Sequence, residues 1–294
     1  MSPVQRNAPP PGERYDLAVC YRIYPKVSGR TIFDFESKLP LVRLGLESFR
    51  EALGRTKAKI WVLLDNCPLE YEQLVGDILG LSPQLILLGG EGNEKTFARQ
   101  IDLLTTQDAS DLVYFAEDDY LYLPGSLEES VDFMKEHADV DFLTLYDHPD
   151  YQKMYIHRIH SRVRSAHGRD WRTVASTCLS FMARRQTLRE TSEVFTSFAR
   201  RNSDLGLWLA ITKNRIFNPW SCLRCLGDGL FVSASFGLAW RHSWRQIVFG
   251  RRRTLWAPLP TLATHMSKNS LSVGVDWEAV FGTRANTLKH RYGS

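Results

Sequence analysis

The sequence predicts an α/β fold, with a mostly parallel central sheet flanked by helices and a looser C-terminal part. Three observations carry this. Short apolar runs at 16–21, 60–64, 85–88 and 112–116 read as buried strands. Segments with helical apolar spacing, at 41–53, 70–79 and 96–105, lie between them. Strands that alternate with helices build βαβ units, and those units make parallel sheets.

The first strand ends in Arg22-Ile23-Tyr24-Pro25, where Pro25 stops regular structure. Gly54 caps the first helix. The second strand ends at Asp65-Asn66, the third at Gly89-Gly90, and the fourth runs into Glu117-Asp118-Asp119. A helix over 127–137 follows, with Ser126 as its N-cap. Residues 141–146 read as a further strand that runs into Asp147-His148-Pro149. The stretch 151–172, rich in Tyr, His and Arg, reads as ribbon or loop. A strand over 174–182 and a helix over 186–198 come next, then a short helix over 204–212 capped near Ser203 or Asn202. Beyond Asn218 the pattern loosens.

The 294 residues allow one large domain or two small ones. No internal repeat or long linker marks a boundary, so the expectation is a disordered leader over 1–14 and a single domain over 15–294. A hydrophobic share of 44% is enough for a sizeable core. A net charge of +4 is too weak by itself to argue for nucleic acid, and none is expected as a partner. Five cysteines in no regular framework suit a reducing compartment. The Pro-rich start has no apolar core of a signal peptide, and no run is long enough to span a bilayer. The expectation is a cytoplasmic protein, with attachment to a membrane surface left open.

The run Leu112-Val113-Tyr114-Phe115-Ala116-Glu117-Asp118-Asp119 concentrates the chemistry. Three carboxylates at the end of a buried strand repel one another unless something cationic sits there. Oxygen-rich clusters suit Mg²⁺ or Mn²⁺, ions that also hold substrate phosphates. The other reading is a solvated acidic turn. Ligands of open α/β sheets bind outside the carboxyl ends of the strands, which favours a site. Gly90-Glu91-Gly92-Asn93-Glu94-Lys95 has Lys where a dinucleotide fingerprint needs its third Gly, and it lacks the G-K-[ST] of a P-loop. It reads as a Gly-rich turn after a strand.

Asp65 after the second strand, the acidic triplet after the fourth, Asp204 at a helix start and His265 near the end form a pattern. In it the chain resembles glycosyltransferases of the Rossmann-like GT-A fold, closest to the inverting family-2-like enzymes. The resemblance covers residues 14–270 in the order of elements. It implies metal-dependent transfer of a sugar from a UDP- or GDP-type nucleotide-sugar to a hydroxyl of a glycan or lipid-linked acceptor, in bacterial glycan or glycolipid synthesis. It implies Mn²⁺ or Mg²⁺ as cofactor and Asp119 as a metal ligand, with Glu117 or Asp118 facing the ribose or the sugar. Glu117 stands where the family's D-x-D motif begins with Asp, which leaves its role open.

The same resemblance sets Asp65 against the nucleobase, and a carboxylate there can accept N–H groups of uracil or guanine. An Asx turn before Pro68 is the alternative. Arg22 suits the diphosphate or the base, or is a plain surface arginine. Asp204 matches the family's catalytic base, and the dipole of its helix also explains a carboxylate there. Asp170 and Asp147 are weaker candidates for the base. His265 matches a late histidine that closes the metal site, which would favour Mn²⁺. It also reads as an ordinary surface or core histidine. His148, with Asp147 before it, is a candidate for the acceptor side.

Cys222-Leu223-Arg224-Cys225 is a lone CxxC and reads as two ordinary cysteines. The stretch 236–256 interleaves Trp240, Trp244, Phe249 and Trp256 with Arg241, Arg245, Arg251, Arg252 and Arg253. It suits an anionic membrane interface, a diphosphate or nucleic acid, or a solvated helix face with one apolar side. Two other functions compete with sugar transfer. A sugar-1-phosphate nucleotidyltransferase shares a related fold, but it needs a Gly-rich, basic turn after the first strand, and Tyr21-Arg22-Ile23-Tyr24-Pro25 has none. A non-catalytic membrane or nucleic-acid adaptor has no use for Asp119 and Asp204.

Overall fold

The computed structural model describes residues 14–26 and 30–292. Apart from Arg14, which pairs with Asp111 at 2.6 Å, the expected leader lies outside the described residues.

Three βαβ units open the chain. They run β1 (Leu17–Ile23), α1 (Lys38–Ala52), β2 (Ala58–Asp65), α2 (Leu69–Leu79), β3 (Gln84–Leu88), α3 (Asn93–Thr106) and β4 (Leu112–Glu117). A short β5 (Tyr120–Tyr122), α4 (Ser126–Glu136), β6 (Phe142–Leu143) and α5 (Asp150–Lys153) follow. Next come β7 (Val163–Ala166), β8 (Arg169–Val174), β9 (Phe181–Arg184), α6 (Arg185–Thr196), α7 (Asp204–Thr212) and α8 (Pro219–Arg224). The chain closes with α9 (Leu230–Phe249), β10 (Leu255–Leu259), β11 (Ala263–His265) and α10 (Trp277–Tyr292).

Among the described residues the strands form one sheet in the order β3-β2-β1-β4-β9-β6-β10-β8-β7, and a ribbon of β11 with β5. The first four strands are mutually parallel. β9 runs against both β4 and β6, and β10 runs with β6. This is the α/β architecture with a mostly parallel central sheet that the apolar runs predict. The order turns back on itself at β1 and β4, and a crevice opens at such a switch point outside the strand ends.

Alternation along β1 divides the core. Leu17, Val19, Tyr21 and Ile23 pack with α1, α2 and α4 residues on one face. Ala18 and Cys20 pack with Phe97, Phe181 and Trp208 on the other. Successive strand residues point to opposite faces, so both faces need apolar cover and the strand reads as a continuous apolar run.

Several elements differ from expectation. The stretch 151–172 contains α5 and β7, and β8 runs from it to Val174, so the strand expected over 174–182 is two strands, β8 and β9. The strand expected over 141–146 pairs only at Phe142 and Leu143 before the chain turns toward the ribbon through a Tyr146–Ala263 bridge. Beyond 218 the chain is regular, with α9 and α10 as long helices. The buried side of α9 is Val232, Ser235, Phe236, Ala239, Ser243 and Ile247, half of it small or hydroxylic, and the helix kinks at Ser243, so it leaves little apolar contrast to read. Pro258 hides β10, because proline argues against a central strand. It sits beyond the short β6 pairing and lines up only with Trp171 of β8.

The arginine run also divides. Arg251 is exposed, whereas Arg253 is buried and pairs with Asp141 at 3.0 Å and with Glu190. Arg252 hydrogen-bonds Thr212 and Asn214, and Trp256 is fully buried. The expectation that all three arginines form one docking run therefore fails for Arg253. Its guanidinium meets a buried acid, Asp141, and an exposed one, Glu190, that the local sequence does not contain.

Candidate active site at the strand ends

Glu117 is the last residue of β4, and the chain turns at Asp118 and Asp119 into β5. Each of the three carboxylates meets its own cationic or imidazole partner. Glu117 pairs with Arg22 of β1 and accepts a hydrogen bond from Ser180 Oγ at 2.8 Å. Asp118 Oδ1 lies 3.0 Å from Lys38 Nζ, and its Oδ2 accepts the Tyr24 N–H at 2.8 Å. Asp119 Oδ2 lies 3.1 Å from His265 Nε2. Asp119 Oδ1 is buried with no hydrogen-bond partner among the described residues.

The local sequence explains how the partners arrive. Arg22 is the register partner of Glu117 across β1 and β4. Lys38 starts α1, and Gly45 lets that helix lie against the turn. A Cβ on Gly45 would meet Met266 Cε at 3.0 Å and the Tyr120 carbonyl oxygen at 3.3 Å. His265 comes from β11, whose antiparallel register sets it opposite Tyr120.

The electrostatics follow. Burial pushes the Asp118 carboxyl up to about 6 against the pull of Lys38, and the Asp119 charge adds to the rise. Burial also opposes the Asp119 charge, but His265, Lys38 and Arg22 outweigh it and hold that carboxyl below the usual carboxylate range. Burial works to lower His265, and Asp119 overcomes it and raises the imidazole. Lys38 is likewise raised by Asp118 and Asp119 against its burial.

Arg22, Lys38, Asp65, Asn93 and the triplet line a cleft of about 400 Å³. Asp65 is committed to the loop beside it. Its Oδ1 accepts the N–H groups of Gly90 and Glu91 at 2.8 and 2.7 Å, and its Oδ2 that of Gly92 at 2.8 Å. Gly90 and Gly92 have φ of +87° and +81°, which turns these N–H groups onto one carboxylate. Three of its lone-pair sites therefore organise the loop, a structural task that neither the expected base contact nor an Asx turn before Pro68 includes. The loop in turn carries Asn93, whose carbonyl and side-chain oxygens accept from Arg22.

A second cavity, about 170 Å³, is lined by Asp204, His148, His157, Cys178 and Phe231, among others. Ser203 caps α7 by accepting the Gly206 N–H, so Asp204 is not needed as the cap. Burial raises the Asp204 carboxyl, and the charge of Glu117 raises it further. Cys178 lines this second cavity, and its thiol is raised by burial and by the charges of Asp204, Glu117 and Asp119.

His148 lines this second cavity and accepts the Asp150 N–H at 3.1 Å. Asp147, expected beside it, is instead buried against Arg172 at 2.6 Å, and its backbone N–H goes to Thr261. Asp170 lies exposed on β8 and accepts from Ser165, far along the sheet from the triplet. Cys222 and Cys225 are free thiols, and Cys225 is pushed up to about 11 by burial, as ordinary cysteines are.

Among the described residues no group of three or more His, Cys, Asp or Glu is placed to hold a metal ion by itself. One carboxylate and one imidazole nonetheless fit a divalent ion whose shell is completed by substrate oxygens. Asp119 Oδ1 is buried and unpaired, beside His265. Three carboxylates against Arg22 and Lys38 leave one negative charge, which His265 meets in this structure, and a diphosphate would add more.

Sequence reasoning missed Lys38 and Ser180. The signal for Lys38 was the triplet itself, which demanded a cation. Nothing in 34–38 marks which lysine supplies it, because the contact depends on how α1 packs.

No protein-family model matches the sequence, and no curated protein matches it. Solved structures with a similar fold include S. aureus TarS 1–349 in complex with UDP. That chain is 13% identical, with 80% of this chain and 72% of that one covered and a TM-score of 0.42. CMP:2-keto-3-deoxy-manno-octonic acid synthetase complexed with CTP is 12% identical, over 95% of this chain and 100% of that one, at a TM-score of 0.42. The galactosyltransferase LgtC with donor and acceptor sugar analogs is 10% identical, over 94% and 96%, at a TM-score of 0.42. These are likenesses of α/β fold, and at such values they carry no argument about the reaction.

Proposed function

We propose that this chain is a glycosyltransferase that moves a sugar from a UDP- or GDP-type nucleotide-sugar to a hydroxyl acceptor, with inversion. The observation that carries the reading is the pairing of the two cavities. A cleft with Arg22, Lys38 and the acidic triplet lies at the ends of β1 and β4, and Asp204, in a separate cavity, is close enough to feel the charge of Glu117. One side suits a diphosphate and the other a hydroxyl.

In this reading Arg22 and Lys38 set positive charge beside the diphosphate. The Gly90–Gly92 loop, organised by Asp65, forms a wall of the donor cleft. Asp204 takes the proton of the acceptor hydroxyl as that oxygen attacks the anomeric carbon, and the bond from that carbon to the phosphate oxygen breaks. Its raised carboxyl is the stronger base for that. Asp119 and His265 would hold Mn²⁺ or Mg²⁺, which supplies Lewis-acid neutralisation of the leaving diphosphate. The residues act as one domain over 15–294. All five cysteines are free, in keeping with work in a reducing cytoplasm, in bacterial glycan or glycolipid synthesis.

Sugar-1-phosphate nucleotidyl transfer is the second reading. The turn after β1, Tyr24-Pro25, lacks the Gly-rich basic loop that reaction needs, and Asp204 has no task in it. Product analysis separates the two. Incubation with nucleotide-sugars and hydroxyl acceptors should release nucleoside diphosphate and give a glycoside of inverted anomeric configuration. Release of pyrophosphate from a nucleoside triphosphate and a sugar-1-phosphate would overturn the proposal.

A further inference from the structure

Helices α8 and α9 turn large apolar side chains outward. Trp220 and Leu223 are 71% and 56% exposed, and Phe231, Trp244 and Phe249 are 62%, 48% and 77% exposed. Large apolar side chains exposed in number on two neighbouring helices mark an interaction site. Its border is basic. Arg224, Arg241, Arg245 and Arg251 are all exposed. The one acid between 217 and 251, Asp228, accepts the backbone N–H groups of Tyr155 and Ile156 at 2.9 Å each.

Along α9, Trp240 and Trp244 repeat four residues apart, and so do Arg241 and Arg245. The helix kinks at Ser243, so each pair straddles the bend, with one exposed aromatic and one exposed arginine on either side of it. Aromatic rings settle at the headgroup level of a bilayer, and guanidinium groups meet anionic lipid phosphates. A neutral partner would have no use for the basic border. Among the described residues no helix is long and apolar enough to cross a membrane, so a helix of this composition lies on the surface.

We propose that α8 and α9 dock the chain on an anionic bilayer, and that the acceptor is a lipid-linked hydroxyl drawn from that bilayer. Phe231 joins the two parts, because it is itself exposed at the start of α9 and also lines the cavity of Asp204. The acceptor clause rests on the reading of that cavity as the acceptor site. The docking clause stands on the surface alone.

The test is cosedimentation of the full chain with vesicles of phosphatidylcholine, with and without phosphatidylglycerol, at low and high salt. The wild type should bind the anionic vesicles at low salt and leave them at high salt. The triple variant Arg241→Gln/Arg245→Gln/Arg251→Gln should partition about a hundredfold more weakly, at roughly fivefold per arginine. Trp244→Ser/Phe249→Ser should lose binding while keeping its fold, because both side chains are exposed. Turnover of a water-soluble acceptor reads the proposed function separately and should be unchanged in both variants. A folded wild type that ignores anionic vesicles at low salt would overturn the proposal. So would a dimer held by this face, seen as a halving of solution mass in Trp244→Ser/Phe249→Ser.

Discussion

Arg22 and Glu117 stand opposite each other in the register of β1 and β4, and their side chains close an ion pair at the floor of the donor cleft. The pair is mostly buried. Removing one partner leaves a charge without compensation, whereas removing both does not. Arg22→Gln should therefore destabilise the chain by about 3 kcal/mol. The double variant Arg22→Gln/Glu117→Gln should recover more than half of that. Urea unfolding of the four proteins gives the coupling directly, and additive losses would mean that the pair contributes nothing.

Asp65 accepts three backbone N–H groups with two oxygens. Asn at this position has one acceptor oxygen, and its amide would face an N–H. Asp65→Asn should cost about 1–3 kcal/mol of stability. It should also weaken nucleotide-sugar binding, because the loop carries Asn93 to Arg22. Calorimetric titration of the variant checks this, and wild-type affinity would show that the loop does not shape the donor site.

Asp204→Asn keeps the shape of the side chain and removes the proton acceptor. The loss expected in kcat is about 10²–10⁴, with donor affinity near wild type. The wild-type pH profile adds a second check. Burial raises the Asp204 carboxyl, so activity should fall as pH drops through a value above the ordinary aspartate range of about 4. An acid limb at or below that range, or a variant that keeps a tenth of kcat, would remove Asp204 from the base position.

His157 lines the second cavity, and burial pushes its imidazole down to about 4. A histidine lowered in the folded state favours folding while it is neutral. Its contribution is whole above the unfolded value of about 6.5 and is lost as pH falls toward about 4. His157→Asn should flatten that part of the stability curve. Thermal melts at pH 7, 6 and 5 read it as a smaller drop in Tm for the variant, roughly 2–4 °C per kcal/mol. Parallel curves would assign the acid sensitivity elsewhere.

The legible parts of this chain are those where local pattern and tertiary need agree. The strands β1, β2 and β4 are buried on both faces and β3 is a half-exposed edge strand, yet all four stand out as apolar runs, and the triplet at the end of β4 stands out against them. Asp204 and His148 were legible as polar residues at element ends, and the structure sets both on one cavity. What was not legible depends on long-range partners. Lys38 reaches Asp118 only because Gly45 lets α1 approach the turn. Asp147 is claimed by Arg172 from β8, and Arg253 by Asp141 from before β6. Helix α9 was obscured because serines and an alanine interrupt its inward face, aromatics also lie on its outward face, and it kinks at Ser243.

The central claim is that the cleft of Arg22, Lys38 and Asp119 binds the diphosphate of a nucleotide-sugar with a divalent ion on Asp119 and His265. Calorimetric titration of UDP- and GDP-sugars, with Mn²⁺ and with a chelator, tests it in one experiment. The account predicts saturable binding by the wild type in Mn²⁺, strong weakening by the chelator, and loss in Asp119→Ala with an unchanged circular-dichroism spectrum. Binding that is equal in Asp119→Ala and wild type with Mn²⁺ present, or no binding of any nucleotide-sugar by the folded wild type, would contradict it.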